Sequence, residues 1–137
     1  MSKYMLIMRN SGAAEKLEDM DVEATLNAMG AYNEAMITAG VLAGGEGLTD
    51  ASQGAVIEFT SEAPILSDGP YGKSHELFNG FWIIDVPTRE EAIAWATRAP
   101  LGPGNKIELR RITDDSDFAE FADNEYIKKE KSWRASK

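Results

Sequence analysis

Short apolar runs alternate along this chain with two longer stretches of helical spacing. Lys3 to Arg9 places Tyr4, Leu6 and Met8 on one face and Met5 and Ile7 on the other, as a strand with a two-residue repeat does. Apolar residues on both faces predict an inner strand covered on both sides. Asn10 to Lys16 reads as a loop around Ser11-Gly12. Val22, Leu26, Met29, Tyr32 and Met36 then follow at spacings of four, three, three and four, which is one face of a helix. Asp19 or Asp21 supplies its cap, Glu23 suits its first turn, and Gly40 its left-handed end.

Val41 to Leu48 reads as an extended segment weakened by three glycines, and Ala55 to Phe59 as a clear strand. Ile65-Leu66-Ser67 is a brief strand before the Asp68-Gly69-Pro70-Tyr71 turn. Gly80 to Val86 is the strongest strand, with Phe81, Ile83 and Asp85 on one face and Trp82, Ile84 and Val86 on the other. Thr88 and Glu91 have the spacing of a capping box. The helix behind it presents Ala92, Trp95, Ala96 and Ala99 on one side and is stopped by Pro100. Ile107 to Ile112 is the last strand. The pattern then decays into a charged tail, where Phe118, Phe121 and Ala122 could dock a short helix, and which is expected to cover the body or a second subunit. Trp133 stands alone among charges.

The order β-α-β-β-(short β)-β-α-β predicts an α+β fold with a ferredoxin-like, split β-α-β arrangement. Both helices then cover one sheet face. The other face is left bare although the central strands are apolar on both sides, and a patch of that kind is rare on a monomer. Packing against a second copy about a two-fold axis covers it. The expected architecture is therefore a dimeric α+β barrel, with one domain over residues 1–113 and a charged, partly helical tail over 114–137.

Composition narrows the function classes. The 137 residues contain no cysteine, which excludes disulfides and thiolate chemistry and suits a reducing, cytoplasmic compartment. The first nine residues are too short an apolar run for a signal peptide, and nothing approaches a membrane span. The formal charge of −9 repels phosphate backbones and anionic membranes, so neither nucleic acid nor membrane is an expected partner. One histidine without cysteine does not build a nitrogen- or sulfur-rich metal site, and no phosphate-cradling or dinucleotide fingerprint is present. No cofactor is expected.

The run Asp68-Gly69-Pro70-Tyr71-Gly72-Lys73-Ser74-His75-Glu76, followed by Leu77 to Val86, resembles the DGPF motif of the YCII-related family. That motif reads roughly D-G-P-F-A-E-T-K-E and leads into a glycine-led aromatic strand ending in I-D-V. Lys3-Tyr4-Met5-Leu6, Ala39-Gly40-Val41-Leu42, Gly45-Glu46-Gly47-Leu48, Glu91-Ala92, Trp95-Ala96 and Pro100 are similar to the family as well. The resemblance covers most of residues 3 to 112. It implies a dimeric α+β barrel, whose relatives include small monooxygenases and muconolactone isomerases. Some members carry a His–Asp pair proposed as catalytic, and some accompany sigma-factor domains. Here Tyr71 replaces the usual phenylalanine, Lys73 a glutamate and His75 a lysine.

Candidate chemistry concentrates on that loop. Asp68 reads either as a turn former, bonding the backbone two residues on, or as a carboxylate at the barrel mouth. His75 is a solvated loop residue or a base held by Asp68 through one ring nitrogen. Glu46, between two glycines, is an exposed strand residue or a substrate contact where the backbone allows close approach. Arg9 is a rim ion pair or a further contact, and Lys73 a solvated cation or an attractor of anionic substrate.

Two readings follow. In the first the chain is an enzyme acting on a small organic molecule by acid/base chemistry of the lyase or isomerase kind. In the second it is a non-catalytic ligand-binding or accessory module with a regulatory role.

Overall fold

Two-residue alternation and two amphipathic stretches give, in the computed structural model, an antiparallel sheet covered on one side. The structure describes residues 1–10, 21–71 and 77–137. The loop about Ser11-Gly12 and the candidates Asp19, Lys73 and His75 lie outside them. The elements run β1 (Ser2–Asn10), α1 (Val22–Thr38), β2 (Leu42–Gly47), β3 (Ala55–Glu58), β4 (Ile65–Asp68), β5 (Leu77–Val86), α2 (Arg89–Thr97), β6 (Asn105–Arg111) and α3 (Glu125–Ala135). A short 3-10 helix spans Ala51–Gln53 and another Asp115–Phe121.

The main sheet has the order β2-β5-β1-β6, and each neighbouring pair is antiparallel. β5 lies between β1 and β2, the two strands that α1 joins. β1 likewise lies between β5 and β6, the two that α2 joins. Both connections are thus split β-α-β units. β3 and β4 form a separate two-stranded hairpin. Its side chains Ile57, Ile65 and Leu66 are exposed, and an isolated hairpin of this kind is marginal in water.

The alternation on β5 is strict: Gly80, Trp82, Ile84 and Val86 are buried, while Phe81, Ile83 and Asp85 are half-buried. The buried set faces the helices. It packs with Tyr4 and Leu6 of β1, Tyr32 and Met36 of α1 and Ala92 of α2 in one core. Trp95, Ala96 and Ala99 pack around that core as half-buried residues, as the α2 pattern requires.

The α1 stripe is only half used. Met36 and Tyr32 are buried, but Val22 is 47% exposed and Leu26 66%. The first turns of α1 therefore stand clear of the core, and only the C-terminal half of the shared helix face is buried. The tail is helical over Asp115–Phe121 and Glu125–Ala135, and Phe118 and Phe121 are exposed.

Local capping follows the sequence, except that only the threonine half of the Thr88–Glu91 capping box forms. Asp21 caps α1 by accepting from the Ala24 N–H at 3.0 Å, and Gly40 follows the helix with φ of +75°. Thr88 Oγ1 accepts from the Glu91 N–H at 3.2 Å. Thr88→Ala is expected to cost about 1 kcal/mol of stability, read as a lower midpoint in urea denaturation. An unchanged midpoint would mean that other groups satisfy this helix end.

Candidate functional site

The edge strand β2 is pressed unusually close to β5, and its glycines make this possible. A Cβ built on Gly45 would lie 2.9 Å from the Phe81 carbonyl oxygen, and one on Gly80 the same distance from that of Glu46. Backbone oxygens cannot swing aside as a side chain can. Met8 pairs with Gly80, and the β1–β5 register slips by one residue immediately beyond, between Met8 and Arg9.

Above this glycine-rich strand, the lifted first half of α1 leaves a groove of about 540 Å³. Met8, Leu26, Met29, Leu42 and Trp82 wall it, with the β2 backbone from Gly44 to Gly47 as one side. Asn33 supplies its polar side chain on α1. Trp82 Nε1–H donates to Asn33 Oδ1 at 2.8 Å. The Trp82 ring is held from the other direction by Tyr32, edge-on at 5.1 Å between centroids and 84° between planes.

Tyr32 in turn donates its hydroxyl to the Trp95 carbonyl at 2.7 Å, tying α1 to α2. Burial pushes its phenol up to about 12, against the opposing pull of the Arg98 charge. The unfolded tyrosine releases its proton near 10, so the folded state holds it longer. Stability from this group is complete below pH 10 and is lost as pH rises through 12. Tyr32→Phe is expected to cost about 1 kcal/mol at pH 7. That deficit should shrink between pH 10 and pH 12 in denaturation series. A deficit that stays constant over this range would refute the linkage.

The other sequence candidates fall elsewhere. Residues directly opposite in an antiparallel pair share a face, and Glu46 stands opposite Phe81, which stands opposite Ile7, which stands opposite Glu108. This row runs across the helix-free face of the sheet. Glu46 therefore contributes backbone to the groove and its carboxylate to the other side. Arg9 is on that other side too: its Nε donates to Glu108 Oε1 at 2.7 Å, and Arg110 donates to Glu108 Oε2 at 3.3 Å. These two bonds, Arg9's first, hold the Glu108 carboxyl below the usual carboxylate range. Arg9 and Glu46 thus share a face but stand at opposite margins of it.

Asp68 ends β4 in the hairpin, exposed, opposite Ala55. Glycine follows it with φ of +103°, and the Gly69 N–H donates to the Gly54 carbonyl at 2.8 Å. Among the described residues no cluster of three or more His, Asp or Glu groups is placed to hold a metal ion. None of the described helices is long and apolar enough to cross a membrane.

Asn33 is the residue that pattern reading passed over. It sits four residues after Met29 and three before Met36, so it is a polar residue inside the apolar stripe of α1. That interruption was the available signal.

No curated protein matches the chain. A family model described as the YCII-related domain matches residues 2–116, which takes in β1 through β6, both sheet-covering helices and the groove, and on that match the chain belongs to the YCII-related domain family.

Proposed function

We propose that the chain is a cytoplasmic homodimer, two copies packing their helix-free sheet faces into an α+β barrel, and that each copy binds a small organic molecule in the groove between α1 and β2. The inequality of the two sheet faces carries this reading. One face is covered by α1 and α2. The other has Met5, Phe81 and Ile83 half-buried around a buried Ile7 at its centre, with Glu46, Glu108, Arg9 and Arg110 towards its margins. An apolar centre with a charged rim is the anatomy of a protein interface. Sedimentation at micromolar concentration should give about twice the 15.0 kDa chain mass; a stable monomer would overturn the barrel.

Binding is favoured over acid–base catalysis by the groove's chemistry. Its lining side chains are apolar apart from the Asn33 amide and the indole N–H it engages, its β2 side is glycine-rich backbone, and the carboxylate of Glu46 belongs to the opposite face. A catalytic role instead needs His75 as base, Asp68 to orient it and Lys73 to attract an anion. That arrangement would raise the histidine pKa, and an NMR titration of the single imidazole reads it. A value near the ordinary ~6.5, unchanged in Asp68→Asn, would dismiss the pair. A raised value that falls in Asp68→Asn would put catalysis ahead.

A further inference from the structure

The groove carries a directional feature beyond its apolar walls. An indole nitrogen only donates, so the atom of Asn33 that meets Trp82 Nε1 at 2.8 Å must be the carbonyl oxygen. The Nδ2 group is then turned away from Trp82; among the described residues no acceptor takes its hydrogens, and on a half-buried residue it is open to solvent. It is a donor held in place by a buried tryptophan, itself locked by Tyr32. Around it stand Leu26, Met29 and Met8, and one side is glycine backbone without projecting side chains.

We infer that Asn33 is the specificity determinant of the groove, and that the ligand is a flat, largely apolar molecule bearing one carbonyl or carboxylate acceptor. The inference rests on the ligand-binding reading above. The β2 wall, whose glycines project no side chains into the groove, admits a planar ring, the methionine and leucine side chains adapt to its edge, and the amide donor anchors its acceptor group. A donor-bearing or purely hydrocarbon ligand of the same shape leaves the Nδ2 hydrogens unanswered on desolvation, which costs affinity.

Three probes of one shape test this in the full-length protein: 2-naphthoate, 2-naphthylmethylamine and naphthalene. Binding is followed by ¹H–¹⁵N NMR through the Asn33 side-chain amide, the Trp82 indole N–H and the backbone of Gly44 to Gly47. Naphthoate should bind at least tenfold more tightly than the amine or the hydrocarbon and shift all three sets of signals. Asn33→Asp keeps an oxygen for the indole and replaces the donor with a negative acceptor, so the fold is preserved. In this variant naphthoate should weaken at least tenfold and the amine should become the preferred probe. Equal affinities for the three probes, or naphthoate binding unchanged in Asn33→Asp, would overturn the role of Asn33 while leaving a ligand groove in place. Absence of binding by all three, or shifts confined to residues outside the groove, would overturn the inference and the groove's binding role together. The dimer, tested by sedimentation, is independent of both.

Discussion

Ile83→Asp is expected to turn the proposed homodimer into a folded monomer. Ile83 stands at the centre of the helix-free face, between Gly44 of β2 and Met5 of β1. In an isologous interface the substitution occurs twice, once from each copy. A carboxylate buried there without a partner costs several kcal/mol, and at 1.4 kcal/mol per decade the dissociation constant should rise by about a thousandfold or more. Sedimentation velocity at 10-fold dilution steps would show the species near the monomer mass, while far-ultraviolet circular dichroism retains the wild-type spectrum. An Ile83→Asp protein that remains dimeric would place the interface on some other surface.

Ile84→Ala, one residue along, should have the opposite signature. Ile84 is fully buried on the helix side of the same strand, among Tyr4, Leu6, Met36 and Trp82. Removing three carbons there loses their transfer free energy and leaves a cavity, a cost of about 2–5 kcal/mol. Against a domain stability of about 5–15 kcal/mol, that is enough to lower the melting temperature by roughly 10 °C. Calorimetry should show the drop, and the oligomeric mass at 20 °C should be unchanged. A loss under 1 kcal/mol would mean that the helices relax onto the sheet and refill the space.

The contrast between these adjacent residues shows what alternation reveals. Strands β1 and β5, the caps of α1 and α2 and the chain order were legible because each depends on neighbours within a few residues. Asp21, Gly40 and Thr88 act on backbone groups at most four positions away. The groove was not legible. It depends on how far α1 tilts from the sheet, and the stripe from Val22 to Met36 is identical whether its first half is buried or lifted. Glu46 was found between its glycines, but which face it uses depends on the β2–β5 register. That register includes an irregularity between Leu42 and Gly44, and one residue of slip reverses every side chain.

By itself, then, the sequence determined the elements, their caps, the two unequal faces of the central strand and membership of a family through residues such as Asp68-Gly69-Pro70 and Ile84-Asp85-Val86. These are local patterns and need no partner to be read. Only the tertiary structure decided that Asn33 meets Trp82 across 49 positions of chain, that Arg9 meets Glu108 across 99, and that Glu46 and the Asn33 groove lie on opposite sides of the sheet. Such pairings are set by how strands order themselves in the sheet and by the angle at which a helix crosses it. Both are outcomes of packing the whole core at once, and no single segment encodes them.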